Sequence, residues 1–545
     1  MSEYVEIPPS TRKRFFEPVI LLDALRSVYL RDNRTSEPDL ESDAGKSPMQ
    51  TYYCFLNKLS QICDSEPKQP LGKTVSAVVV LDSGTIEYRL ASNQRGRREL
   101  DTVREYLTDI IDVFGRASDE EMNNKSFTAR LLSDVLRKVL AFNRPRIEDY
   151  IDSLCGVKGN SEKDSLTFCI ESSADDEANE ETSAANALRS LLPHIQAARN
   201  APRKGNDAFA SHAEKLLKAI HSHYASGLGE YMKKKTRGDN RVADSPWDDV
   251  RHALGRLLSY YIAIKVLISA RNLWPRIFVD FEVTCIPSRQ PLGEPPDIRR
   301  NANGILNRMG RNRSTIDACK RHARDLQALG LDDRIRERAS PGRFRPIVHA
   351  EVNLLDSVLR DQEAAEAEGE DPIRFFNEAE FGRYIGSSKP TCLLCHFYFE
   401  AHPSRVRCRE THYNLYPNWR APDVKTSDGE EAERQRLDIM ESLIKVVRNE
   451  TGRAIRERSY PRRKHDSWDT PTNPLPGSTV RGVDDLASRM SQIGLDDAAS
   501  TRGCPPDVSS TWGESDSSRE QTPGSPTLDA DDGVDDEDDD GGVKL

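Results

Sequence analysis

His349-Ala350-Glu351 and the run Ser387-Ser388-Lys389-Pro390-Thr391-Cys392-Leu393-Leu394-Cys395, with Cys392 standing 43 positions after His349, decide how this chain is read. One imidazole and two thiolates form the donor set of a tripodal zinc site whose fourth position stays open to water, and a nearby carboxylate that is not a donor can carry that water's protons. The apolar stripe Val348, Val352, Leu355 and Leu359 predicts a helix after the histidine. Residues two apart in a helix interior point about 200° from one another, so His349 and Glu351 share a pocket only at a first turn, with Pro346 just outside. Cys392 and Cys395 lie one helical turn apart, on one face. Ser388 or Thr391 is expected to cap that helix and Pro390 suits its start. A helix amino terminus in turn favours the thiolate form.

Three competitors accompany this reading. His212-Ala213-Glu214 repeats the tripeptide, but Ser211 and Glu214 fit a capping box at a helix start, and no paired cysteines accompany it. The spacing Cys392-x2-Cys395-x12-Cys408-x3-His412 is that of a Cys2His2 zinc finger with Cys408 in place of the first histidine, and Phe399 stands at its core aromatic position. Against the finger, Arg405 occupies the core leucine position and Pro403 breaks the helix. A thioredoxin-like redox pair lacks the N-terminal βαβ setting it requires. Whether His349 or Cys408 joins Cys392 and Cys395 on a metal stays open on spacing alone.

The 545 residues are 37% hydrophobic and 31% charged, enough chain for two or three domains with a substantial part disordered. From residue 507 onward, 13 acidic residues face only Arg519 and Lys544, a balance of −11 that equals the whole formal net charge. The first 18 residues lack the apolar core of a secretory signal and no run of 18 apolar residues occurs, so the expectation is no membrane and no secretion. Ten scattered cysteines fit a reducing compartment, cytoplasmic or nuclear. Pro461 to His465 resembles a short nuclear import signal.

Apolar periodicity predicts helices over 21–30 and 52–62 with a polar loop at 34–46 between them, and a hairpin of 75–81 with 85–91 about Asp82-Ser83-Gly84. Helices follow over 103–113, 127–142, 187–198, 212–232 and 250–273, interrupted by an acidic polar insert at 162–183. A strand is expected over 277–286, closed by the proline-rich 287–296, and a last helix over 430–447. From Arg299 to Arg345 thirteen Lys or Arg face five Asp or Glu. That segment reads as a helical face with ion pairs, or as a surface for phosphate or nucleic acid. The tail from 470 is rich in Pro, Ser, Gly and Asp. The resulting division is an N-terminal helical region (1–72), a hairpin (73–93), a mainly helical insertion or added domain (94–330), a zinc-binding core (331–450) and a disordered basic then acidic tail (451–545).

Four features, the hairpin ending at Asn93, His349-Ala350-Glu351, Tyr384-Ile385-Gly386-Ser387-Ser388-Lys389 before the cysteine pair, and Thr411-His412-Tyr413-Asn414-Leu415-Tyr416-Pro417-Asn418-Trp419, are similar to a group of fungal proteins predicted to be nucleic acid or nucleotide deaminases of the cytidine-deaminase-like superfamily. The likeness is densest over 346–422. It implies an α/β fold, a three-layer α/β/α sandwich whose mixed sheet is opened by the hairpin, with the two site helices on one side. It makes His349, Cys392 and Cys395 the Zn2+ ligands, Glu351 the proton carrier, and Asn93, His412 and Trp419 the residues at the substrate. Thr391, between Pro390 and Cys392, departs from the superfamily's usual order, H-x-E with P-C-x-x-C. The implied activity is hydrolytic deamination of a nucleobase in a nucleoside, nucleotide or nucleic acid. The alternative is a non-catalytic zinc-stabilised module that binds protein or nucleic acid, and oligomeric state is left open.

Overall fold

The computed structural model describes residues 4–29, 47–67, 72–155, 164–174, 179–237, 246–292, 297–310 and 313–458. The loop at 34–46, the basic run Pro461 to His465 and the tail lie outside these residues. Ser76–Asp82 (β1) and Ile86–Ser92 (β2) form the expected hairpin in full antiparallel register, from Ser76 opposite Ser92 to Asp82 opposite Ile86. Phe281–Ile286 (β3) lies parallel to β2. On the other side β1 pairs antiparallel with Tyr384–Ser387 (β5), and β5 pairs parallel with Arg407–Cys408 (β6). The short Arg374–Phe375 (β4) also pairs with β1. The sheet is thus mixed, in the order β3-β2-β1-β5-β6.

The pleat separates two cores. Val78, Val80, Tyr88 and Leu90 point toward Pro48–Ile62 (α2) and the long helical body, whereas Ala77, Val79, Leu81 and Ala91 point toward Pro9–Val28 (α1) and Ala350–Glu368 (α6). All are buried, so this short hairpin supports two hydrophobic layers at once. Gly386 in β5 is the point of closest approach: a Cβ there would stand 2.5 Å from the Leu56 carbonyl carbon, so only glycine lets α2 lie on the strand.

Between hairpin and site segment runs the helical body, which includes Arg97–Gly115 (α3), Arg144–Leu154 (α4) and Pro246–Leu273 (α5). It departs from the pattern reading in three places. Within the expected polar insert at 162–183, Leu166, Cys169 and Ile170 bury one face of a helix, Ser165–Ala174, and the next helix, Asn179–Arg199, starts there too. The segment 212–232 is two helices, Asp207–Ala225 and Leu228–Arg237, parted at Gly227 with φ +101°. The segment 277–286 begins as a 3-10 turn, Pro275–Phe278, and becomes a strand only after Asp280, whose φ is 49°.

Among the described residues α5 is the one helix long and apolar enough to cross a membrane, and 78% of its apolar window is buried inside the protein. Its composition is accounted for by its place at the centre of the helical body. In the basic segment, Arg308 pairs with Glu17, Arg338 with Asp23, Arg336 with Asp333 and Arg343 with Glu337. These arginines attach the segment to α1 and to its own helices. The chain then forms α6, Leu393–Ala401 (α7) and Gly429–Glu457 (α8), the last longer than expected and packed along α1.

His402, just after α7, is buried with its Nδ1 accepting the Ser404 N–H at 3.2 Å. Burial disfavours its cation and pushes its pKa from 6.5 down to about 4. A folded state that binds this proton more weakly than the unfolded chain loses stability as pH falls below 6.5 toward 4, by up to about 3 kcal/mol. Denaturant titrations at pH 7 and pH 4 are expected to show that loss in the native sequence and a smaller one in His402→Gln.

Candidate metal centre

Both halves of the site are helix caps. His349 is the N-cap of α6 with φ −74° and ψ 155°, and Cys392 is the N-cap of α7 with φ −74° and ψ 166°. Only the Cys392 side chain caps its own helix; His349 makes no such bond. The expected Ser388 or Thr391 cap is not used. Cys392 Sγ itself accepts the Cys395 N–H at 3.4 Å, Ser388 Oγ donates to Asp64, and Thr391 forms a parallel bridge with Thr411. The sulfur caps because the chain reaches α7 in an extended conformation fixed by that bridge.

Three tethers bring the caps together. Asn93, at the end of β2, accepts the Ala350 N–H on Oδ1 at 2.9 Å and donates from Nδ2 to the Gly72 carbonyl at 3.1 Å, which ties the first turn of α6 to the hairpin. Leu393 N–H donates to the Asn414 carbonyl at 3.1 Å, and His412 N–H to the Thr391 carbonyl at 3.1 Å. Ile347, two residues before the histidine, bridges in parallel with Trp419, with Ile347 N–H on the Asn418 carbonyl and Arg420 N–H on the Ile347 carbonyl. The segment 411–419 thus touches both helix starts.

The result is one group of three: the donor atoms of His349, Cys392 and Cys395 all lie within 4.8 Å of one another. His349 Nδ1 stands 3.6 Å from Cys392 Sγ and 3.3 Å from Cys395 Sγ. Zinc bonds of about 2.3 Å to sulfur and about 2.0 Å to nitrogen place tetrahedral donors about 3.5 Å apart, so the donor set fits a zinc ion. Among the described residues no other such group occurs. Cys408 instead belongs to β6, opposite Ile385, and neither it nor His412 joins the cluster, so the finger spacing does not fold as a finger. His212 lies inside the helix Asp207–Ala225 rather than at its start, and Glu214 is held by Arg137 and Lys218.

The electrostatics distinguish the two thiols. Burial opposes ionisation of Cys392, but hydrogen bonding from Cys395 and the His349 charge hold it well below the ordinary thiol range. Burial and the neighbouring Cys392 push Cys395 well above that range. Burial works against the His349 cation, yet the Cys392 thiolate outweighs it and the imidazole is raised. Glu351, in the first turn, is raised by burial, and its Oε2 has no hydrogen-bond partner among the described residues. A buried, unpartnered carboxylate oxygen beside a three-donor cluster suits a group that handles a proton there.

Residues 348–423 match a family model described as an OTT_1508-like deaminase. No curated protein and no solved structure matches the chain. The matched stretch begins one residue before His349 and ends four after Trp419, so it contains the three donors, Glu351 and the segment that holds them.

The remaining expected site residues fall around this cluster in different ways. Trp419 is fully buried between Phe15 and Tyr398 and donates its indole N–H to Cys395 Sγ at 3.2 Å. His412 is buried, with Nδ1 accepting the Asn414 N–H at 3.0 Å and its ring 5.7 Å from Tyr416, which in turn lies 6.4 Å from the His349 ring. Two supporting residues were not anticipated. Asn57 Oδ1 accepts the Ser387 N–H, and Asp64 joins Thr74, Arg146 and Ser388. The partners of each lie far off in the chain, so the local sequence gives no signal of either role.

Asn93→Ala leaves the buried Ala350 N–H without an acceptor, a loss of about 1–3 kcal/mol. Urea unfolding of the variant is expected to show it, with the cost absent from an alanine at exposed Asn123.

Proposed function

We propose that the chain is a zinc-dependent hydrolytic deaminase acting on a nucleobase-containing substrate in the cytoplasm or nucleus. The observation that carries this is the Glu351 carboxylate, buried and with one oxygen unpartnered, beside the three-donor cluster of His349, Cys392 and Cys395. The match of 348–423 to a deaminase family model supports it. So does the arrangement of hairpin, α6 and α7, which agrees with a cytidine-deaminase-like sandwich bearing both site helices on one side of the sheet.

Zinc held by His349 Nδ1 and the two cysteine sulfurs would supply acidity, bringing a water's pKa from about 15.7 toward about 7. Glu351 takes the water's proton, passes it to the ring nitrogen beside the amine-bearing carbon, and a proton then leaves with the amine. The carbon–oxygen bond forms, the carbon–nitrogen bond breaks, and the products are a carbonyl base and ammonia. The Cys395 N–H at the start of α7 and the Trp419 indole N–H each donate to a cysteine sulfur and stabilise its anionic form. Asn93 fixes the turn that aims Glu351.

Glu351→Ala is expected to retain one equivalent of zinc and to lose ammonia release by roughly 10²- to 10⁴-fold. The assay screens nucleosides, nucleotides, single-stranded DNA and RNA, and purified protein without stoichiometric zinc would end the proposal. Trp419→Phe is expected to weaken zinc retention by roughly 10- to 100-fold in competition with a chelator.

A further inference from the structure

Arg256 is an unusual residue for the middle of an apolar helix. It is fully buried near the centre of α5, and among the described residues no carboxylate lies within ion-pair distance of it. The groups that act on its charge are Tyr150, Tyr260 and Arg146. A buried guanidinium without a counter-charge is strongly destabilising, so its neighbours show what it faces.

Those neighbours are hydrogen-bond donors. Arg256, Ser259 and Tyr260 are spaced i, i+3 and i+4 on α5, hence on one face, and Arg146 and Tyr150 are spaced i, i+4 on α4. Arg256 Nε and Arg146 Nη1 each donate to Tyr150 Oη at 3.4 Å, so the phenol proton is left to point elsewhere, and no acceptor for it occurs among the described residues. Ser259 Oγ, Tyr260 Oη and Arg146 Nε are buried and also without partners there. Asp64 is the one carboxylate of the group, and it is spent on Arg146 at 2.6 Å, Thr74 at 2.8 Å and Ser388 at 3.2 Å. Burial resists ionisation of Tyr150, but Arg256, Arg146 and the Lys389 ammonium overcome it and bring the phenol down to about 8.

Two guanidinium groups and three hydroxyls with free protons, against one carboxylate already engaged, are the complement of a phosphate group. We infer that Arg256, Arg146, Tyr150, Ser259 and Tyr260 form a buried binding site for a phosphate group at the junction of α4 and α5. The site is tied to the metal centre through Asp64 and Ser388. Ser388 is four residues before Cys392, at most about 14 Å away along an extended chain. The phosphate comes either from a nucleotide substrate or from free phosphate, and only the first source rests on the deaminase reading.

The test uses the full chain. Calorimetric titration with inorganic phosphate is expected to show binding that raises the thermal midpoint. Arg256→Met is expected to weaken it roughly 10- to 100-fold. The same variant, freed of an unpaired buried cation, keeps or raises its midpoint in phosphate-free buffer. Tyr150→Phe, which keeps the ring and removes one donor, is the second variant and is expected to bind phosphate more weakly. Native protein with no phosphate-dependent shift overturns the site, as does Arg256→Met binding phosphate as tightly as native. Glu351→Ala then distinguishes the sources without turnover. Cytidine or adenosine 5′-monophosphate displaces phosphate while the nucleosides do not if the substrate supplies it, and both bind together if phosphate is independent. Phosphate binding with no deaminase activity on any substrate leaves the site standing and ends only the functional proposal.

Discussion

The structure depends on two helix starts that must meet. His349 and Cys392 are both N-caps in extended backbone, and the positive ends of α6 and α7 converge on the same few ångströms. Two such ends would repel one another without negative charge between them. A thiolate at Cys392 provides it, which is why a sulfur takes the capping role that serine or threonine usually fills. The hairpin, the bridge at Ile347 and Trp419, and the Asn93 amide all serve to hold these two ends at a fixed separation.

This explains which parts were legible in the sequence. The hairpin was readable because its β-rich runs flank Asp-Ser-Gly, and the first-turn placement of His349 followed from the helical period. The cluster's three donors were readable because their chemistry is narrow. What keeps Cys408 out of the three-donor group is the pairing of β6 with β5, a contact no local pattern encodes. The Ser165–Ala174 helix was missed because three apolar residues bury a face inside an otherwise polar stretch. The capping reading at Ser211 failed because Phe209 and Ala210 bury on the same helix, so it begins a turn earlier. Trp419 gave no signal of its bond to Cys395, since an indole at the end of a loop motif reads equally as a wall for substrate.

The helical body is more than an appendage on the sheet. Through Asp64, which joins Arg146 on α4 to Ser388, four residues before Cys392, it shares a buried polar network with the site segment. The junction is polar where a simple packing interface would be apolar, and each polar group there has to be satisfied or it costs stability. A change in α5 therefore reaches the site segment without passing through the sheet.

The order of the strands also sets a timetable. The Ser76 N–H donates to the hydroxyl of Ser388, 312 residues later, although the two are neighbours in the finished sheet. At about 5–20 residues per second of synthesis, the hairpin waits roughly 15–60 s for that strand. During the wait its apolar faces need cover, which α1 and α2, already made, begin to supply and the helices from α3 onward extend. The three-donor cluster consequently assembles late in synthesis, and a cell making this chain would have to keep a half-built sheet from pairing with strangers in the meantime.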